Sequence, residues 1–220
     1  MSRALKRDIP GTDWRVSEED VRAKGWPALF AEDADAAPLV VEIGFGRGEF
    51  LLGLAQDAPR TPHVGVEYSA KRVLKMARRL ARAELRNVRL VCARGERVVE
   101  DLLAPASVSA FWINFPDPWP KKRHHRRRLL QPAFVRLLAE RLVPGGALNA
   151  ATDHEGYADA IDAALSGEPL LRNAWAPAPF LREVPGRRTT AYESEWLAAG
   201  RALHFWRYLR DGDAAGSRPA

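Results

Sequence analysis

The sequence predicts a doubly wound α/β fold on a mainly parallel, seven-stranded sheet, with an N-terminal arm packed against it. Short apolar runs alternate with amphipathic stretches from residue 39 onward, the pattern of βαβ units whose sheet is covered on both faces. The first apolar run ends in a glycine turn, "LVVEIGFGRG". The most unusual polar motifs follow the ends of predicted strands, where ligands sit in such folds.

Residues 1–38 are mixed and charged and read as the arm; "SEEDVRAKGWPALF" offers a capped start at Ser17 and a short helix ending near Gly25. The domain proper spans 39–210. "LVVEIGFG" is a buried strand and "GEFLLGLAQDA" the helix after it. "HVGVEY" is the second strand, followed by the helix "SAKRVLKMARRLARAEL" with Ser69 as its N-cap. "NVRLVC" and "ERVVEDLL" make the third pair, and "SAFWINF" is the fourth strand. "RLLQPAFVRLLAERLV" reads as one long helix closed by "PGG", "ALNAAT" as the fifth strand, and "HEGYADAIDAAL" as another helix. "LLRNAWAPAPF" and "RALHFWRYL" supply two terminal strands, joined by a loop with a short helix in "RRTTAYESEWLAAG". Residues 211–220 read as a frayed tail. Right-handed crossovers between the parallel strands give the doubly wound arrangement.

At 220 residues and 46% hydrophobic content, the chain suits one domain with extensions. No apolar run reaches the roughly 18 residues of a membrane span, and the N-terminus lacks an apolar signal core. The one cysteine, Cys92, rules out an internal disulfide and is expected to be a small buried hydrophobe. A soluble, reducing, cytoplasmic setting is therefore expected. The formal net charge is +6, and Lys121, Lys122, Arg123, Arg126, Arg127 and Arg128 alone supply six positive charges. Basicity focused in this way points to a polyanionic partner, nucleic acid above all.

The glycine turn reads Glu42-Ile43-Gly44-Phe45-Gly46-Arg47-Gly48. A dinucleotide fingerprint would need its third glycine at position 49, which is Glu49; the third glycine is Gly48. A carboxylate at Glu42 suits a ligand with a cationic end better than a pyrophosphate. S-adenosylmethionine, with its ammonium and sulfonium, is such a ligand. Glu67, 25 residues on, ends the second strand where a carboxylate accepts ribose hydroxyls. Singly, the loop reads equally as a tight turn and Glu67 as an exposed strand-end acid. Together they favour an S-adenosylmethionine pocket over a nicotinamide site.

The stretch "INFPDPWPKKRHHRRRLL" sets Asn114 and Asp117 among three prolines, directly before eight consecutive Lys, Arg or His residues. Here the sequence closely resembles the bacterial tRNA (guanine-N7-)-methyltransferase family, a group of class I, Rossmann-like methyltransferases. The likeness extends through "VEIGFGRGEF", "GVEYSAKRVLKMARR", "ATDHEGYADAI" and "RRTTAYESEW". It implies methyl transfer from S-adenosylmethionine to N7 of the variable-loop guanosine of tRNA. It implies Glu42, Gly44, Gly46, Gly48, Glu67 and Asn114 on the cofactor side, and Asp117 as the active-site acid. Lys121, Asp153 and the motif Thr190-Ala191-Tyr192-Glu193 match substrate-contacting positions. The family often has an aspartate near the adenine where Arg94 stands here, so backbone groups of Arg94 and Gly95 are expected to serve. Ala191 replaces a common lysine, which shifts the expected phosphate contact towards Arg187 and Arg188.

Guanine N7 carries a free lone pair, so alignment and electrostatics are needed more than a strong base. No metal site and no Ser-His-Asp constellation is expected. Pro116 and Pro118 fix φ on either side of Asp117, which is placed to accept from a guanine or from the cofactor ammonium. Trp119 reads either as a base-stacking side chain or as a core residue. The cations from Lys121 to Arg128 are expected on RNA phosphates, since positive charge at the start of the following helix opposes its dipole. A second row, Lys71, Lys75, Arg78, Arg82 and Arg86, reads as a solvated helix face. The remaining alternatives are another RNA base methyltransferase, including one acting on an exocyclic amine, and a non-catalytic RNA-binding protein on the same scaffold.

Overall fold

The computed structural model describes residues 8–212. Its strands are β1 (Arg15–Val16), β2 (Leu39–Ile43), β3 (His63–Val66), β4 (Val88–Val91), β5 (Val108–Asn114), β6 (Leu142–Thr152), β7 (Leu171–Asn173) and β8 (His204–Arg210). They form one sheet in the order β1-β4-β3-β2-β5-β6-β8-β7. All neighbours are parallel except β8, which runs antiparallel to both β6 and β7. The helices are α1 (Glu18–Phe30), α2 (Glu49–Asp57), α3 (Ala70–Arg82), α4 (Gly95–Asp101), α5 (Pro132–Arg141), α6 (Glu155–Ser166) and α7 (Ala191–Ala198).

The chain starts the parallel sheet at β2, grows it to one side through β3 and β4, then returns to lay β5 and β6 on the other side. The strand order therefore reverses between β2 and β5, and the crevice beyond their carboxyl ends is the natural ligand site. Glu42 and Asn114 stand at that point. Alternation along each strand decides which side chains face which layer. Phe111 and Ile113 of β5 join Val98, Leu138 and Ile161 in a core beneath α4, α5 and α6. Trp112 faces the other way, its ring 4.9 Å from that of Phe50 on α2. On that second face Leu51, Val73, Met76 and Leu80 pack α2 and α3 on the sheet, and the amphipathic pattern of α3 leaves Lys71, Lys75 and Arg82 exposed, with Arg78 half-buried. A third cluster, Ala151, Leu203 and Phe205 with Phe115, Trp175 and Trp196, seats α7 and its flanking loops.

Several expectations are corrected. The sheet has eight strands rather than seven, because Arg15 and Val16 of the arm pair with Leu90 and Val91. A two-residue pairing is too short to leave an apolar pattern. The arm is held by more than this: Trp26 Nε1 donates to Leu102 O at 2.7 Å, and buried Arg89 donates to Asp33 at 2.6 Å with the Trp14 and Phe30 rings on its guanidinium. Gly25 does interrupt α1 (φ 72°), but a further turn carries Trp26 and Phe30 into the core. The long helix expected over residues 128–143 is shorter. Lys122–Arg127 form a separate 3-10 helix, Gln131 stands at the N-cap position of α5 without a side-chain cap bond, and Pro132 occupies its first turn. Proline disfavours helix at the residue before it, so the cations end in their own turn and not at the N-terminus of α5. Ser69 sits at the N-cap of α3, yet its side chain makes no cap bond. Cys92 is exposed, not buried. Of the tail 211–220, only Asp211 and Gly212 are among the described residues. Among them no helix is long and apolar enough to cross a membrane.

Candidate active site

Glu42 lies at the floor of the crevice, 2% exposed. Asn114 Nδ2 donates to its Oε1 at 3.2 Å, while Oε2 is buried with no hydrogen-bond partner. Burial pushes this carboxyl up to about 7, against the hydrogen bond from Asn114, the positive charge of Arg187 and the nearby Leu51 backbone N–H, all of which pull it down; that N–H lies outside hydrogen-bond geometry to Oε2. A buried acceptor without a partner at a ligand crevice is a seat for a cationic or hydrogen-donating group.

The glycine loop follows Glu42 in the chain and is held by its own backbone donors. Gly44 N–H donates to Val66 O at 2.7 Å, Gly46 N–H to Glu67 Oε2 at 3.1 Å, and Gly48 N–H to Phe45 O at 2.8 Å. Position 48 favours glycine on two counts: φ is +80°, and a Cβ would lie 2.4 Å from Met76 Sδ, forcing that side chain to move. Glu67 also accepts Ser69 N–H at 2.9 Å through Oε1 and lies 3.5 Å from Arg72. Its first visible task is thus to brace the loop against α3; it is buried, not an exposed strand-end acid. Each of its oxygens keeps a lone pair for a ligand hydroxyl. Gly95 lets α4 close onto β2, since a Cβ there would sit 2.3 Å from Ile43 Cγ2. Arg94, at the N-cap of α4, is exposed.

Beyond β5 the Pro-Asp-Pro turn is framed by two bulky residues in the left-handed region, Phe115 (φ 53°) and Trp119 (φ 43°). Such conformations cost about 1–3 kcal/mol each and persist only when their surroundings hold them. Phe115 N–H donates to Ala151 O at 2.9 Å, and its ring meets Trp196 edge-on at 4.7 Å. Trp119 is half-buried with the Arg127 guanidinium 5.0 Å from its ring and His124 edge-on at 5.8 Å, so it is not a core residue. Arg128 is buried, contrary to its expected place on phosphate: Nε donates to Pro118 O at 2.9 Å and Nη1 to Gly156 O at 2.8 Å, over the Tyr157 ring. Asp117 is left exposed on a loop braced from both sides.

Lys121, Lys122, Arg123, Arg126 and Arg127 are exposed beside this loop, and among the described residues none of these five is ion-paired. On the opposite rim, Thr190 and Glu193 form a reciprocal capping box at the start of α7, each bond 3.1 Å. Asp153 accepts from Arg201 at 2.5 Å. The side chains of Ala191 and Tyr192 lie outside the described residues.

Comparison with known proteins adds to this geometry. A family described as "Putative methyltransferase" matches residues 36–206. The tRNA (guanine-N(7)-)-methyltransferase of Mycolicibacterium paratuberculosis is 42% identical over 94% of this chain and 90% of its own length. That of Halorhodospira halophila is 39% identical over 98% of this chain and 93% of its own. The chain belongs to the tRNA (guanine-N(7)-)-methyltransferase family. The 16S rRNA methyltransferase KamB, at 15% identity, has the same fold with a TM-score of 0.64 over 94% of this chain and 99% of KamB.

In this methyltransferase the sequence motifs converge on one crevice. Glu42 and Asn114 stand at the carboxyl ends of β2 and β5, the glycine loop and Glu67 follow β2 and β3, and Asp117 and the cations from Lys121 follow β5; Arg187 joins Asn114 to Glu193 at the start of α7. Sequence reasoning missed two arginines. Arg187 was expected on phosphate but is buried, bonded to both Asn114 and Glu193. Arg128 hid inside a run of identical charges. The only sequence signal for it is that a basic run next to three prolines also needs donors for their carbonyls. His204 packs between Phe180 and Trp206, and His124 lies against Trp119.

Arg128→Ala should lower turnover about tenfold or more by freeing the Asp117 loop, since two carbonyls lose their donor at roughly 1–3 kcal/mol each. The salt dependence of RNA binding should stay unchanged. A variant that loses salt-dependent binding instead would show Arg128 on the RNA.

Proposed function

We propose that this chain transfers a methyl group from S-adenosyl-L-methionine to N7 of the variable-loop guanosine of tRNA. The observation that carries the reading is the exposed carboxylate of Asp117 on a strained turn that follows the Asn114 strand end and precedes five exposed, unpaired cations, with the partnerless Oε2 of Glu42 held through Asn114.

S-adenosyl-L-methionine supplies a methyl group already activated on a sulfonium. Glu42 and the glycine loop, with Glu67 and the backbone at Arg94 and Gly95, would hold it at the switch point. The fit rests on the buried Oε2 of Glu42, a ready acceptor for its ammonium. Asn114 orients that carboxylate through its amide. Asp117 accepts from the guanine's N1–H and amine and turns N7 inward. The same carboxylate offsets the positive charge that methylation leaves on the base. No proton has to be abstracted, because N7 is already a free lone pair. Lys121, Lys122, Arg123, Arg126 and Arg127 hold RNA phosphates without reading sequence. Trp119, fixed by Arg127 and His124, offers a ring face at the mouth of the site. The likeness to tRNA methyltransferases supports tRNA as the polyanion.

The test is incubation with unmodified tRNA and methyl-labelled S-adenosylmethionine, followed by mapping of the labelled base. Label at guanine N7 is expected. No label, or label on an exocyclic amine, sinks the reading. Reversing charge at Lys121 and Lys122 should weaken tRNA binding and reduce the slope of log K against log salt by roughly 0.7–0.9 per lost phosphate contact. An unchanged slope would make the run a solvated surface.

A further inference from the structure

Arg187 belongs to no catalytic or phosphate-binding group described so far. Its side chain is 7% exposed, so a phosphate backbone cannot reach it. Its fork is divided between two sides of the crevice. Nη2 donates to Asn114 Oδ1 at 2.7 Å, and Nη1 donates to Glu193 Oε2 at 2.5 Å and to Arg188 O at 3.1 Å. The guanidinium is held between the rings of Phe50 and Phe205, at 5.0 and 4.8 Å.

An asparagine amide has one donating and one accepting end. With Arg187 on Oδ1, Asn114 must turn Nδ2 to Glu42 Oε1, which fixes the carboxylate whose second oxygen is empty. On the other side, Glu193 Oε2 also accepts the Thr190 N–H, so the position of Arg187 depends on the first turn of α7. An unbroken polar chain therefore runs Glu42–Asn114–Arg187–Glu193–Thr190, from the cofactor floor to the substrate rim. Phe115 against Trp196 and Arg47 against Glu195 (2.8 Å) tie the same helix to the Asp117 turn and the glycine loop.

We propose that Arg187 is a positioning residue that couples the two ligand sites, so that RNA docked at α7 and a molecule in the cofactor crevice each raise the affinity of the other. This rests on the proposed function. A ligand that settles α7 fixes Glu193, hence Arg187, hence the orientation of the Asn114 amide. By linkage the reverse effect is of equal size. Lysine keeps the charge but lacks the planar fork that spans two acceptors.

The experiment is calorimetric titration of S-adenosylhomocysteine into the full chain, with and without saturating unmodified tRNA. In the wild type, tRNA should tighten binding by about 5- to 50-fold, within the usual range of coupled sites. In Arg187→Lys the ratio should fall to about one while affinity for tRNA alone stays near wild type and the chain still melts cooperatively, at a lower temperature. Glu193→Gln, which removes the ion pair from the other end, should likewise bring the ratio to about one at saturating tRNA, whatever it does to tRNA affinity alone, and serves if the lysine variant does not fold. A wild-type ratio of one, or variants that keep the wild-type ratio, overturns the proposal. The same wild-type preparation is assayed for methyl transfer. Transfer without coupling overturns this inference alone; no transfer to tRNA overturns the function and the inference together.

Discussion

Asp117→Ala lowers single-turnover methyl transfer by roughly 10²–10³-fold and leaves tRNA affinity within a few-fold. The size follows from what the chemistry requires. N7 needs no general base, so the loss is that of one oriented charge facing a centre that becomes positive. Binding should survive because the cations proposed to hold the phosphates, at positions 121–127, lie in and at the start of their own 3-10 turn and are exposed without Asp117 as a partner. The fold survives because Asp117 is exposed and the turn is held elsewhere, by Arg128 on Pro118 and by Phe115 on Trp196. Asp117→Asn keeps an acceptor oxygen without the charge and should fall between the two. Rates with enzyme in excess over tRNA, together with filter-binding affinities, make the check. An unchanged single-turnover rate in the alanine variant would leave Asp117 as a turn residue only.

Glu42→Gln gives the second large effect, and its signature is pH dependence. Burial first, and Glu49 to a lesser extent, raise the Glu42 carboxyl from 4.5 to about 7, while Asn114 and Arg187 oppose the rise. Between those two pH values the folded chain keeps a proton that the unfolded chain releases. The stabilising contribution is therefore complete below 4.5 and is lost as pH rises through about 7. Glutamine cannot ionise, so the variant should be more stable than wild type at pH 8, by up to about 3 kcal/mol for a shift of this size. Ligand binding moves oppositely. An ammonium on Oε2 needs the ionised form, so wild-type affinity for S-adenosylhomocysteine should fall about tenfold per pH unit below neutrality, with proton release on binding. The variant should bind weakly at every pH with a flat profile. Thermal melts and calorimetry in buffers of different ionisation heat measure both. Wild-type affinity that stays flat from about pH 5.5 to 7.5 would remove Glu42 as the anchor.

The parts of the site legible in the sequence are those encoded within a few residues. Position 48, with φ of +80° and a Met76 sulfur where a Cβ would go, strongly favours glycine, so the loop announces itself. Glu42, Glu67 and Asn114 end apolar runs, and a doubly wound sheet brings strand ends together without further information. The Pro-Asp-Pro turn is local by nature. By contrast, the eighth strand rests on two residues of the arm, and the short α5 on one proline overriding an otherwise continuous apolar period. Cys92 is exposed although it directly follows the buried residue Val91, because it lies just past the end of β4.

Local pattern and composition alone determined the α/β class, the succession of strands and helices from β2 onward, the acids at the strand ends and the focused positive charge. Periodicity, glycine stereochemistry and proline constraint act over one strand or one turn. Only the tertiary structure decided which charges are available. Arg128 and Arg127 are adjacent in sequence, yet one is buried on two carbonyls and the other is exposed over Trp119. Arg187 meets Asn114 across 73 residues of chain, and Arg188 beside it turns to Asp57, 131 residues away. A charged side chain takes its role from the acceptor that burial brings within about 3 Å, and that acceptor is chosen by the packed fold.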